Sequence, residues 1–278
     1  MIRIHSWLVP LGLALGLLAQ LPAADFEIGP QDSGASGAPA SGVSPSSGGS
    51  PSNGAAKDPA VHMALTSDYP VRLDAGDVPT AYGLDKYALR VDMRFYDGGG
   101  ILTKAYLGIF PRLFIGGAAD LRGAIGSGPL SMTRDDAQLL ARLLVLLEDD
   151  DIPAVAIGYD GPAYEHGAAR GLYLAVSKEF PTSLAYVQVH GGLNTGQVDQ
   201  FNVDHDLRGS LAITTAIQNV GLFSELDEVM DPLGPRWNSG LEVNFDPIVV
   251  AVELRDLGAI RPDTPVSRLL RLSYNGRF

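Results

Sequence analysis

From Tyr87 to the last residue, apolar and polar side chains alternate one by one through a series of short segments. This period of two limits the possible folds more than any other feature, because successive side chains of a β-strand point to opposite faces. Tyr87, Leu89, Val91, Met93 and Phe95 stand against Ala88, Arg90, Asp92, Arg94 and Tyr96. Ile101, Thr103, Ala105, Leu107 and Ile109 share one face, with Lys104 and Tyr106 on the other. The pattern returns over 172–179, 186–194, 210–217, 237–245 and 248–255. It ends with Leu270, Leu272, Tyr274, Gly276 and Phe278 against Arg271, Ser273, Asn275 and Arg277. Each segment predicts a strand with one apolar and one polar face.

Beyond the N-terminus no apolar run approaches the roughly 20 residues a spanning helix needs. A chain of this kind in a membrane must therefore cross it as closed β-structure. The connections carry the same message. Short turns at Pro111-Arg112, Pro181-Thr182-Ser183, Gln218-Asn219 and Asp246-Pro247 alternate with polar stretches at 123–133, 161–170, 195–206, 231–235 and 258–267. Short turns at one end and long loops at the other are the outer-membrane barrel pattern. Gly98-Gly99-Gly100 reads as a further hairpin turn, without the following helix or basic residue of a phosphate cradle. Asp149-Asp150-Asp151 reads as a solvated turn that discourages pairing with other chains.

The stretch from Thr133 to Leu147 is ambiguous. Thr133, Asp135 and Asp136 suit a helix start, and Leu139, Leu140, Leu143, Leu144 and Leu147 fit helical spacing. As a strand it sets Leu140, Leu144 and Leu146 on the polar face. Strand parity favours the strand, since bacterial single-chain barrels have even strand numbers. The alternative is a helix in or against the barrel. Counted as a strand, it gives an antiparallel transmembrane β-barrel of about 12 strands, all-β, over residues 68–278. A soluble secreted β-protein is the competing class.

The N-terminus reads as an export signal over 1–24. Arg3 supplies the positive charge, Trp7 to Leu21 the apolar stretch and Pro22-Ala23-Ala24 the small residues before cleavage. Residues 25–67, rich in Gly, Ser, Ala and Pro, predict a flexible, disordered periplasmic linker. The chain has no cysteine, which excludes disulfides, thiolate metal sites and cysteine nucleophiles. A formal net charge of −12 speaks against nucleic acid as a partner. Strand alternation assigns Arg90, Asp92, Arg94, Tyr96, Lys104, Tyr106, Tyr173, Tyr186, Glu225, Asp227, Glu242, Glu253, Arg255 and Arg271 to the lumen. There the tyrosines offer stacking surfaces for sugar rings.

The terminal pattern, with Tyr274 and Phe278, resembles the signal that outer-membrane barrels present to their assembly machinery. Other stretches are similar to the YjbH-like outer-membrane proteins associated with exopolysaccharide biosynthesis. They are Pro79-Thr80-Ala81-Tyr82-Gly83, Arg94 to Gly100, Ala156-Ile157-Gly158-Tyr159-Asp160, Gly171 to Lys178 and Val189 to Asn194. The resemblance covers about 79–278 and implies an outer-membrane barrel working near polysaccharide production or export. These motifs are structural and carry no catalytic signature.

The residues thus predict an exported outer-membrane barrel in contact with the lipid bilayer. Its expected function is a pore or docking protein for a polar solute or exopolysaccharide. The alternative is a structural or scaffold barrel with a closed lumen and no transport. No enzymatic role, cofactor or metal is expected. His190 and Asn194 on one strand could join a serine as a hydrolase site, but no G-x-S-x-G elbow accompanies them. Asp199, Asp204, His205 and Asp206 form an oxygen-rich cluster without the spacing of a calcium loop.

Overall fold

The structure is a computed structural model. It describes residues 72–278 except 133–136, 162–169, 183, 197, 200–201, 204–206 and 261–263. The expected signal segment (1–24) and linker (25–67) lie outside the described residues.

The alternating segments form the strands of a closed barrel. In chain order these are β1 (Ala88–Tyr96), β2 (Gly100–Phe110), β3 (Leu113–Leu121), β4 (Ala137–Leu146), β5 (Ala154–Asp160), β6 (Gly171–Pro181) and β7 (Tyr186–Asn194). A two-stranded hairpin follows, β8 (Val198–Asp199) with β9 (Asn202–Val203). Then come β10 (Arg208–Ile217), β11 (Val220–Asp227), β12 (Arg236–Asn244), β13 (Ile248–Arg255) and β14 (Ser267–Arg277). Twelve strands make the barrel, each antiparallel to its neighbours, with β7 beside β10 and closure between β1 and β14. Closure runs from Ala88 opposite Arg277 to Tyr96 opposite Leu269. The last strand thus seals the sheet against the first, and the Phe278 amide donates to the Tyr87 carbonyl at 3.2 Å.

Short turns join β2–β3, β4–β5, β6–β7, β10–β11 and β12–β13, and both barrel ends of the chain lie on that short-turn side. The opposite end carries the longer connections, together with the tight β1–β2 turn. There Gly98 and Gly99 take φ of 81° and 74°, and a Cβ on Gly99 would meet the Ile125 carbonyl oxygen at 1.9 Å. Only glycine fits both requirements.

The segment of uncertain type is a strand over Ala137–Leu146. Leu140 and Leu144 face inward and are only 3% and 4% exposed. A register shift between Leu144 and Leu146 swings Leu146 outward, so it leaves the polar face that simple alternation assigned to it. The alternation beginning at Tyr87 also needs one adjustment. Strand structure begins at Ala88, and Tyr87 sits before it with φ of 66°.

All twelve barrel strands expose large apolar side chains outward, including Met93, Ile115, Leu143, Ile157, Leu174, Val189, Leu211, Leu222, Leu241, Val252 and Leu270. Monomeric soluble proteins rarely expose a contiguous apolar patch beyond a few hundred Å². A band that runs round the whole circumference matches the hydrocarbon layer of a bilayer, where every strand edge must be paired. The fold is a twelve-stranded antiparallel transmembrane barrel. Replacing Val252, outward and near the middle of β13, with Arg should cost about 2–4 kcal/mol of folding free energy in lipid vesicles. An exposed site on a soluble barrel would register roughly 0.5 kcal/mol or less, and urea titration in vesicles separates the two.

Candidate functional site

Twelve strands enclose more space than their own side chains fill. Eight-stranded barrels are just wide enough to be packed by side chains, whereas sixteen leave a channel. Here residues 72–82, Arg-Leu-Asp-Ala-Gly-Asp-Val-Pro-Thr-Ala-Tyr, are all buried. They form a tight hairpin. Asp74 bridges Pro79, the Ala75 amide donates to the Val78 carbonyl at 2.8 Å, and the Thr80 amide donates to the Leu73 carbonyl at 2.9 Å. The hairpin contacts inward residues of β1, β4, β6, β11, β12 and β13. A segment that touches strands on all sides of a closed barrel can only occupy its lumen.

The hairpin points its tip toward the long-loop end. Glu225, near that end of β11, accepts backbone hydrogen bonds from Gly76 at 2.9 Å, Asp77 at 2.9 Å and Val78 at 3.0 Å. Three converging amides form a cradle for one carboxylate. Gly76 is required by this approach, since a Cβ there would lie 2.6 Å from the Phe223 ring and 2.9 Å from Glu225. The Asp77 carboxylate joins Arg94 of β1, at 2.5 Å, to Arg255 of β13. Arg94 also donates to the Gly76 carbonyl at 2.9 Å.

Both legs return toward the short turns. Arg72 pairs with Glu242 of β12 at 2.6 Å. The Ala81 amide donates to Ser177 Oγ at 2.7 Å, and the Tyr82 hydroxyl donates to Glu148, in the β4–β5 turn, at 2.9 Å. Arg142 of β4 ties the legs together. Its guanidinium donates to the Leu73 carbonyl at 2.7 Å, the Tyr82 carbonyl at 3.0 Å, Asp74 at 3.0 Å and the Tyr173 hydroxyl at 2.6 Å. It also stacks on Phe114 and Tyr173, with centroid distances of 5.1 and 5.5 Å. On the hairpin itself, burial pushes both carboxyls up. The Arg255 and Arg94 guanidinium groups at Asp77 outweigh it, as do Lys104, Arg142 and Arg94 at Asp74, and both stay below the usual carboxylate range.

The hairpin accounts for the inward leucines of β4. Leu140 packs in one cluster with Leu73, Leu102, Tyr106 and Phe114, and Leu144 packs in another with Ala81, Tyr82 and Tyr173. They are apolar because they face the hairpin rather than water.

The residues assigned to the lumen by alternation all lie on the inward face, but they do not line an open passage. Arg90 pairs with Asp92 at 2.9 Å, Lys104 with Asp160 at 3.2 Å, and Arg271 with Glu242 at 3.1 Å and Glu253 at 3.2 Å. Asp227, at the long-loop end, holds Arg170 through two contacts of 3.2 and 2.8 Å. Tyr96 donates to Asp120 at 2.5 Å, Tyr106 stacks edge-on against Phe114, Tyr173 accepts from Arg142, and Tyr186 is half-buried at the short-turn end of β7. Three of the four tyrosines expected to stack on sugars are therefore committed to groups of the barrel itself. Sequence reasoning missed Arg72, Asp74, Asp77 and Arg142. The turn-forming Ala75-Gly76-Asp77 between Asp74 and Pro79 was the available signal.

Ser177 and His190 do meet. The Ser177 hydroxyl lies 2.8 Å from His190 Nδ1, and His190 Nε2 lies 3.2 Å from the Thr214 hydroxyl. Thr214 donates to Gln188 at 3.1 Å, and Gln188 to Glu179 at 2.8 Å. Thr214 thus commits its one hydroxyl proton to Gln188, so in the neutral ring Nε2–H faces Thr214 and Nδ1 accepts from the Ser177 hydroxyl. Asn194 instead accepts the Gly196 amide at 3.3 Å. Ser177 and His190 are fully buried, and the pair holds the returning leg of the hairpin. Asp204, His205 and Asp206 of the expected oxygen-rich cluster lie outside the described residues. Asp149 caps its own turn by accepting the Ile152 amide at 2.7 Å. Tyr274 faces outward on β14 and Phe278 is exposed.

Fold and site together define the class, a membrane-spanning β-barrel whose lumen is filled by a hairpin of its own chain. No protein-family model matches this chain, and no curated protein matches it. Among solved structures it is similar to the KdgM porin, at 11% identity over 69% of this chain and 99% of that one, with a TM-score of 0.39. It is also similar to a loop L8 deletion mutant of OmpT, an outer membrane protein of Vibrio cholerae. There the identity is 12% over 68% of this chain and 97% of that one, with a TM-score of 0.28.

The cradle at Glu225 yields a local expectation. Glu225→Ala removes the acceptor for three buried amides, a loss on the order of 3 kcal/mol at the tip. Hydrogen exchange at Gly76, Asp77 and Val78 should accelerate by roughly 100-fold, while amides of β13 and β14 stay protected. Equal acceleration throughout would show that the cradle supports the barrel rather than the hairpin.

Proposed function

We propose that this protein is an outer-membrane barrel that rests with its lumen closed and serves as a docking or scaffold component rather than as a standing pore. The hairpin of residues 72–82 carries this reading. It occupies the lumen from the short-turn mouth to the region of Arg255 and Glu225, and it takes up wall charges that an open channel would present to water. In the outer-membrane arrangement short turns face the periplasm, so the hairpin enters from the periplasmic side.

The sequence similarity to YjbH-like proteins supports placing such a barrel beside exopolysaccharide production. Polysaccharide then meets its surface or its partners and does not thread the resting lumen. Folding assisted by the barrel assembly machinery, through the strand that ends at Phe278, belongs to the same proposal, as does cleavage of an N-terminal export signal. The role is non-catalytic, and the commitment of Ser177 and His190 to the hairpin supports this.

Conductance tests the reading directly. Wild-type protein in planar bilayers should give no steady current in potassium chloride. A stable open level in the unmodified protein would overturn the closed-lumen reading and restore the pore.

A further inference from the structure

The way the hairpin is held differs from the way the barrel is held. Each barrel strand is already paired on both sides, and the sheet closes without residues 72–82. The hairpin can therefore leave without breaking a strand ladder. Both of its legs lie toward one mouth. Tyr82 reaches Glu148 in a short turn, and only residues 83–87 separate it from the start of β1 at that same end. Arg72 reaches Glu242 and the Leu222 carbonyl, toward the short-turn ends of β12 and β11. A loop with both ends at one mouth withdraws without threading the barrel.

Its deepest attachments are ionic. Asp77 sits between Arg94 and Arg255, and Asp74 on Arg142, with Glu225 closing over the tip amides. These two hairpin carboxylates occupy seats built from three wall guanidinium groups on β1, β4 and β13. Withdrawal removes these two carboxylates together with Arg72, and leaves a wall on which Arg94, Arg142 and Arg255 stand among carboxylates such as Glu225, Glu242 and Glu253. Water and small ions then take the place of the hairpin beside these wall charges.

We propose that residues 72–82 are a retractable plug latched by Asp74 and Asp77, and that its withdrawal opens a water-filled ion passage through the barrel. This rests on the closed-lumen reading and adds a way out of it.

The absence of native cysteine makes a lock straightforward. Val78 of the hairpin and Ala212 of β10 pack in one cluster. In a chain carrying Val78→Cys and Ala212→Cys with Asp74→Asn and Asp77→Asn, the weakened latch is tested with the plug tied and untied. Oxidised protein in planar bilayers should be silent. After reduction it should open to a stable conducting level in potassium chloride. Silence after reduction, with gel mobility showing an intact barrel, overturns the plug. Steady current from wild type and from the oxidised lock alike would mean that the lumen conducts around a seated hairpin, and the closed-lumen reading fails instead.

If the asparagines prevent folding, the Val78→Cys chain decides alone. Val78 is fully buried, so labelling by a charged thiol reagent in intact barrels supports withdrawal. Complete protection of that thiol overturns it.

Discussion

A charge on the inner wall of a barrel whose lumen is filled must find its counter-charge inside, since lipid lies on the other side of the wall and the hairpin displaces water. The remainder of this structure follows from that constraint. Arg142 shows it most fully. One guanidinium group collects two hairpin carbonyls, one hairpin carboxylate and one wall hydroxyl. A lysine could not reproduce that set, because a single ammonium lacks the planar fork. Arg94 and Arg255 converge on Asp77, and Glu242 is shared by Arg72 and Arg271. The wall and the hairpin form one ion-paired interior.

Such an interior is a poor source of net stability but a strong source of specificity. Breaking a buried ion pair by removing one member typically costs about 3–5 kcal/mol, yet the intact pair can contribute little against its own desolvation. The hairpin is consequently fixed in one seating while remaining mechanically separate from the barrel. The barrel holds itself through twelve closed ladders. The hairpin holds itself through side chains and one cradle of amides. This division allows the lumen to be closed without being a permanent core.

The leucines of β4 show how local patterning and tertiary contact can disagree. In the sequence, Leu140 and Leu144 sit where a lumen should be polar, and helical spacing offers itself as an explanation. The strand is nevertheless formed, because β3 and β5 supply its ladder and the hairpin supplies an apolar surface through Leu73, Ala81 and Tyr82. Leu146 avoids the same position by a bulge. The apparent violation of the barrel pattern was the mark of an inserted segment, but reading it that way requires knowing what stands opposite.

The sequence by itself determined the period of two, the assignment of short turns and longer loops to opposite ends and, apart from Leu146, which side chains face inward, while the count of about twelve depended on taking the stretch at 133–147 as a strand. These are legible because strand alternation is a local geometric rule and lipid enforces it on one face. Arg90, Lys104, Glu225, Glu253 and Arg271 were placed on the inner wall by that rule alone. Only the tertiary structure decided what the inner wall faces. Residues 72–82 have no period of two, and Glu225 lies about 150 positions from the amides it accepts. Pairing across that separation depends on closing the barrel first, and no local preference records it. A polar inward face is equally consistent with a water-filled channel and with a salt-bridged interior. The choice between them rests on the hairpin, whose carboxylates and amides satisfy the wall where water otherwise would.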